Sequence, residues 1–361
     1  MSICSGGVYV NEYLWVDVLT PKQARIAVEI YRALSRSYPF LITARKYDYT
    51  LKVLERFNVP YIALGGHGGK SLEGKLLASA GRTLDLAKYI IEREYKIKCL
   101  ISYPSPEAVR VAFGLGIPII VLTDTPHAYH VSLLTLPCAN FIVIPKCIDP
   151  EKLAFAVSDL SKVRTFDGVF EKIWIREIPP KINEIKEIGL KAGEYLVFRM
   201  EEAKAAYYSW KILSPVLRVA TMLRGIFDEE NFVFMPRYSD QEKLIRETFP
   251  RARVLEKAVD SLVLSYYALA VITGGGTLAH EAALVGTPSI TLFPRHYEVE
   301  EYLQRRGFPL RHFIQLDRET LNEVRHFVEK QTREREKYLS LLRELEDPLP
   351  LIVKLIRSLE R

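Results

Sequence analysis

The chain has little cysteine. Four residues in 361, Cys4, Cys99, Cys138 and Cys147, form no C-x-x-C pair, too sparse for a disulfide scaffold or a zinc ribbon. They read as small buried residues of a reducing compartment. Long apolar runs are missing too: no stretch reaches the roughly 20 residues of a spanning helix, and the N-terminus lacks a basic start followed by an apolar h-region. A cytoplasmic protein is the expectation. Asn and Gln are scarce whereas Tyr, Glu, Lys and Arg are abundant, a balance that leans towards a thermophilic source. There is no low-complexity segment and no short tandem repeat. With 48% hydrophobic and 26% charged residues, the composition is that of an ordinary globular protein. The net charge of +6, with both signs interspersed, suits an anionic small ligand without selecting one. No nucleic-acid partner is expected, while peripheral membrane contact and a homodimer both remain compatible.

What is present is alternation. Apolar runs such as "YLWVDVL", "PFLITA", "PYIALG", "KCLISY", "IPIIVLTD" and "NFIVIP" are separated by amphipathic stretches. Continuous apolar strands between helices imply a parallel sheet with right-handed crossovers. The pattern breaks over residues 146 to 182, which end in a double proline, and resumes with "EYLVFRM", "NFVFMPRY", "ALAVITGG" and "TPSITLF". A length near twice the common domain size supports two domains. The expected division is an N-terminal Rossmann-like domain over 1–170, a C-terminal one over 171–335, and a final helix over 336–361 packing back on the first.

The most informative stretch is "VITGGGTLAHEAALVGTPSI", residues 271 to 290. Gly274, Gly275 and Gly276 stand where a strand gives way to a helix, so backbone N–H groups and the positive end of the helix dipole face out of the sheet edge. That arrangement attracts phosphate, and glycine lets it come close. Thr277 is placed to cap the helix or donate to the same anion, and Glu281, one turn on, to accept the hydroxyls of a ribose. The competing account is a tight turn without a ligand.

This stretch resembles the nucleotide-binding signature of GT-B glycosyltransferases and of the non-hydrolysing UDP-N-acetylglucosamine 2-epimerases, whose "TDSGGIQEEA" lies on "TGGGTLAHEA" without a gap. The resemblance puts Gly275 and Gly276 at phosphate-binding positions and Glu281 at the ribose carboxylate; Gly275 replaces the family's serine. A wider resemblance is carried by "WVDVLTPKQA", "LITARKYDYT", "GGHGGKSLEGKLLAS", "SPEAVRVAFGLGIPIIVLTDTPHA", "FDGV" and "MPRYSDQ". Together these are similar to the archaeal domain-of-unknown-function family 354, described as predicted glycosyltransferases related to the 2-epimerases. Residues 1–12 look like an extension to that pattern. The resemblance implies a GT-B architecture, two Rossmann-like domains facing across a cleft, acting on a nucleoside-diphosphate sugar, UDP-linked by analogy, with no other cofactor.

The remaining candidates gather at strand ends, where open α/β sheets place ligands. "GGHGGKS" is not a P-loop, because G-x-x-x-x-G-K-[ST] would need glycine at Leu64; His67 and Lys70 are instead candidate acceptor or phosphate contacts. Asp17 ends the first strand, and Lys22 is a candidate counter-charge for a leaving diphosphate. Asp124 and His127, three apart, are the best general acid and base, since a carboxylate can orient an imidazole that titrates near neutrality. Arg199 and Arg237 suit bidentate phosphate contact and Tyr238 suits stacking on a base. His280 is expected to be a packing residue. No Asp-x-Asp pair for a metal is evident. The rival activities are epimerisation at the sugar C2, drawing on Asp17, Asp124 and Glu201, and non-catalytic binding of a sugar nucleotide or polyanion.

Overall fold

A computed structural model describes residues 12–47, 49–69, 71–176, 180–202, 214–255, 259–330 and 334–359. The chain divides into two compact units. The first comprises residues 1–144, 149–165 and 349–361; the second comprises 145–148 and 166–348.

In the first unit β1 (Tyr13–Val18), α1 (Pro21–Leu34), β2 (Phe40–Lys46), α2 (Thr50–Arg56), β3 (Ile62–Gly66), α3 (Leu72–Glu92), β4 (Ile97–Ser102), α4 (Pro106–Gly114), β5 (Ile119–Leu122), α5 (Tyr129–Thr135), β6 (Phe141–Pro145) and β7 (Val163–Phe166) follow one another. Among the described residues they build a seven-stranded sheet of order β3-β2-β1-β4-β5-β6-β7. The apolar runs become strands because both faces are covered: all four residues of β5 are buried, as are five of the six in β1 and in β4. Helices start where local chemistry stops the strand. Thr20 caps α1 by accepting from the Gln23 N–H, and Pro21 supplies the preset φ of a first helical residue.

The second unit repeats the plan with α6 (Asn183–Glu187), β8 (Leu196–Arg199), α7 (Pro215–Leu223), β9 (Phe232–Met235), α8 (Ser239–Thr248), β10 (Arg253–Val254), α9 (Ser261–Tyr267), β11 (Ala270–Thr273), α10 (Gly276–Leu284), β12 (Ser289–Thr291), α11 (Glu298–Arg305), β13 (Leu310–His312), α12 (Arg318–Lys330) and α13 (Arg335–Glu344). Its sheet order among the described residues is β10-β9-β8-β11-β12-β13. Phe198, Phe232, Phe234 and Phe249 cluster in its core with ring centroids 4.9 to 6.5 Å apart, each such pair adding about 0.5–1.5 kcal/mol beyond area burial.

Both sheets are parallel, and both reverse their strand order once, between β1 and β4 and between β8 and β11. Ligands of open α/β sheets sit at such switch points. The registers Asp17 opposite Ser102 and Arg199 opposite Thr273 put the sequence candidates there. The fold class of each unit is therefore the expected one, a Rossmann-like α/β domain. The C-terminal segment is not one returning element, however. α13 belongs to the second unit, where Arg335 Nη1 donates to the Val285 carbonyl at 3.0 Å and Tyr338 packs so tightly on Gly286 that a Cβ there would lie 2.7 Å from its ring. Only the last helix, α14 (Pro348–Ser358), groups with the first unit.

Candidate functional site

At the first switch point Asp17 is 1% exposed and fully engaged. Arg82, from the middle of α3 and equally buried, donates to it through Nη2 at 2.6 Å and Nη1 at 3.1 Å. Thr43 Oγ1 donates to Asp17 Oδ1 at 2.5 Å and itself accepts from Trp15 Nε1 at 2.9 Å. Burial disfavours the Arg82 charge, but Asp17 and Glu107 more than offset it and hold the guanidinium pKa above its ordinary value. Both oxygens of Asp17, a catalytic candidate from the sequence, are engaged in a buried ion pair that ties α3 to the sheet. The same arginine accounts for part of the glycine-rich loop. Arg82 Nε donates to the Leu64 carbonyl at 2.9 Å, and Gly65, at φ +70°, lies where a Cβ would come within 2.9 Å of the Arg82 side chain.

Asp124 takes the position expected of a reactive carboxylate, at the end of β5, but with different partners. Lys22 Nζ lies 2.5 Å from Oδ2, and the Tyr103 hydroxyl donates to Oδ1. The Lys22 ammonium also stands 5.4 Å from the Tyr103 ring centre. Both oxygens are thus claimed by Lys22 and Tyr103, so the orienting of His127 by Asp124, read from their spacing, is replaced by this triad. His127 sits half-buried in the turn after β5, closed by the Ala128 N–H to the Thr125 carbonyl at 2.9 Å. Tyr103 was missed because a lone tyrosine in "SYPSP" carries no motif. His67 stacks on Tyr47 with centroids 4.7 Å apart. It lines a cavity of about 380 Å³ with Leu19, Gln23, Arg45, Lys75 and Glu107. Lys70 lies outside the described residues.

In the second unit the three glycines separate into different roles. A Cβ on Gly274 would lie 2.3 Å from Glu201 Cγ, and one on Gly276 would lie 2.9 Å from the His280 ring and 3.0 Å from Tyr297. Both are glycine because the interior leaves no room. At Gly275 a Cβ would meet only Arg237 Nη2, at 3.9 Å. Donors are divided likewise. The Gly274 N–H is spent on the Arg199 carbonyl at 3.1 Å and the Gly275 N–H on Thr273 Oγ1 at 3.1 Å. The anion-binding donors expected of Gly274 and Gly275 are therefore turned inward, leaving the first-turn amides of α10 from Gly276 and Thr277 onward, which helical geometry leaves unpaired. Gly275 is the N-cap and brings no side-chain acceptor to them. Thr277 stands inside the first turn and is not the cap.

Around this turn the candidates converge. Arg237 is held by Nε to the Met200 carbonyl at 3.1 Å and by Nη1 3.7 Å from Glu202; the Tyr238 hydroxyl donates to Glu202 as well. Arg199 is 7% exposed and donates to the Pro236 carbonyl at 3.2 Å. Glu281 is 2% exposed, and Trp174 Nε1 donates to its Oε1 at 2.8 Å. Neither Trp174 nor Glu202 stands out in the sequence. Glu201 is engaged at the start of α7: Ser214, the N-cap, donates to it through Oγ at 2.8 and 2.9 Å and the Val216 N–H at 2.8 Å. Burial pushes its pKa up, against those hydrogen bonds.

His280 is fully buried between two carboxylates, Nδ1 3.1 Å from Glu171 and Nε2 3.7 Å from Glu300. Burial opposes its charge, yet Glu171 and then Glu300 prevail and its pKa stands at about 9. Glu300 also lies 2.9 Å from His312 Nδ1, while His312 Nε2 donates to the Phe293 carbonyl at 2.8 Å. Glu171, His280, Glu300 and His312 thus form a chain of alternating carboxylates and imidazoles inside the second unit. Among the described residues no group of three or more His, Cys, Asp or Glu is arranged to hold a metal ion, and no helix is long and apolar enough to cross a membrane.

The chain is similar to an uncharacterized protein of Methanocaldococcus jannaschii, 28% identical over 356 residues, which cover 95% of this chain and 97% of that one. Its fold is similar to that of the UDP-GlcNAc 2-epimerase of Methanocaldococcus jannaschii, solved in complex with UDP-GlcNAc and UDP: TM-score 0.68, 15% identity, 96% of this chain and 99% of that chain. It is also similar to the spinosyn rhamnosyltransferase SpnG complexed with spinosyn aglycone: TM-score 0.57, 15% identity, 95% and 99% of the two chains. A family model matches residues 13–360, and the chain accordingly belongs to the family described as protein of unknown function (DUF354).

Proposed function

We propose that the protein is a glycosyltransferase that draws on a nucleoside-diphosphate sugar, with a UDP donor favoured by the neighbour of the same fold solved with UDP. The observation that carries this is the convergence at the second switch point. The first-turn amides of α10 at Gly276 and Thr277 have no side-chain cap, Arg237 lies over the open position at Gly275, and Trp174 fixes the Glu281 carboxylate within the same helix. Amides and a guanidinium suit a diphosphate, and an oriented carboxylate suits the paired hydroxyls of a ribose. In the first unit Asp124 acts as base on the acceptor hydroxyl, and Lys22 and Tyr103 hold its carboxylate in place.

Transfer is preferred to C2 epimerisation because of what the carboxylates are doing. Epimerisation needs acid–base groups on both faces of the sugar ring, and two of the three carboxylates once available for it are committed elsewhere, Asp17 to Arg82 and Glu201 to the start of α7. UDP added to the wild-type protein should raise its melting temperature, since a ligand bound only by the folded state stabilises it. In Trp174→Phe, which frees Glu281, affinity should fall by roughly tenfold, the effect of losing one hydrogen bond to a charged group. A thermal response to UDP that is absent from the wild type, or unchanged in Trp174→Phe, contradicts the nucleotide site. Inversion at C2 of UDP-GlcNAc without any acceptor, followed by NMR, would replace transfer with epimerisation.

A further inference from the structure

We propose that the cavity at the carboxyl end of the first sheet binds an oxyanion, a phosphate or carboxylate, carried by the glycosyl acceptor. The word acceptor rests on the transferase reading; the anion does not. The cavity holds about 380 Å³, within the range of small-molecule sites. Its floor is the switch-point edge of the sheet, where β1, β2, β3 and β4 end.

The chemistry of the wall decides the ligand's sign. Arg45, at the end of β2, lines the cavity with His67, Lys75 and Glu107. Glu107 turns to its own neighbours, accepting from Ser105 Oγ at 3.2 Å and lying 3.7 Å from Arg82 Nη1. Asp17, the other nearby carboxylate, is taken by Arg82 on both oxygens. Arg45 is left outside that exchange: among the described residues no carboxylate lies within ion-pairing distance of it. Nη2 makes one long bond, 3.4 Å to the Leu19 carbonyl, and Nε finds no hydrogen-bond partner. Its remaining neighbour is the Tyr47 ring, 5.1 Å away. Burial pulls its pKa below the ordinary guanidinium value, against the longer-range attraction of Glu107, and the adjacent Arg82 charge adds to the lowering.

A guanidinium carries five donors in a planar fork and stays charged throughout the working pH range. Keeping one half-buried with a donor unused, and with no carboxylate in ion-pairing distance among the described residues, costs stability unless a ligand supplies the missing acceptor. An oxyanion in the cavity does so bidentately, and Lys75, which lines the same cavity, adds charge of the right sign. An apolar chain would leave Arg45 Nε without an acceptor.

The test is titration calorimetry with inorganic phosphate, acetate and UDP as three separate probes, on wild type, Arg45→Met, Arg45→Lys and Arg237→Met. Phosphate or acetate should bind the wild type. Arg45→Met should weaken that binding at least tenfold, and Arg45→Lys, which keeps the charge without the fork, less so. Neither Arg45 variant should change UDP binding, which also reports that each is folded. Whichever of phosphate and acetate depends more on Arg45 identifies the oxyanion. Binding that is unchanged in Arg45→Met, or that Arg237→Met abolishes, overturns the assignment and moves the anion to the α10 turn. If UDP fails to bind the wild type while Arg45-dependent binding persists, the transferase reading falls and the anion site stands.

Discussion

Raising the pH should loosen the second domain through His280. In the folded protein this imidazole has a pKa of about 9, whereas in the unfolded chain it reverts to the ordinary 6.5. The folded state therefore holds a proton that the unfolded state gives up. The stabilisation is complete below pH 6.5, declines from there, and is gone once the pH has passed 9. The span between the two values corresponds to on the order of 3 kcal/mol, a large part of the roughly 5–15 kcal/mol a domain has in total. His312, raised by Glu300 against its burial, adds in the same direction. Hydrogen exchange of the α10 amides reads the loss locally: after correction for intrinsic rates, protection should fall roughly 100-fold between pH 6.5 and 9 and then level off. Replacing Glu300 by Gln removes a carboxylate facing both histidines, so the decline should end at a lower pH and be smaller. Protection that stays flat across this window, or that falls identically in Glu300→Gln, would refute the charge chain as the cause.

Two further outcomes follow from close packing. Gly274→Ala places a Cβ 2.3 Å from Glu201 Cγ, so it should destabilise by about 1–3 kcal/mol, the usual cost of overpacking, seen as a lower midpoint in urea. Gly275→Ala, with open space, should not. Arg82→Met strands the buried Asp17 and Glu107 carboxylates and should cost about 3–5 kcal/mol; a loss below 1 kcal/mol would mean that water reaches Asp17 and that its carboxylate is open to chemistry after all.

The alternation of apolar runs with amphipathic segments made both parallel sheets legible, because strands buried on two faces have only one way to be written. The edges of the sheets were legible for a related reason: a residue that closes a strand lies at the carboxyl edge of its sheet, and Asp17, Asp124, Arg199 and Gly274 stand at or just past strand ends. Placement does not determine use. What holds each carboxylate depends on partners distant in the chain. Arg82, in the middle of a helix whose sequence suggests a solvated arginine, claims Asp17; Ser214 claims Glu201; Tyr103 and Lys22 claim Asp124. None of these pairings has a fixed spacing. The triple glycine shows the same limit at finer scale. Three identical residues answer three different neighbours, Glu201, Arg237 and His280 with Tyr297, and only the middle one is glycine without a packing reason. A turn that needed glycine merely for tightness would leave no open space over its central residue and no guanidinium above it. The open position under Arg237, beside amides with no side-chain cap, is the observation on which the proposed nucleotide site rests.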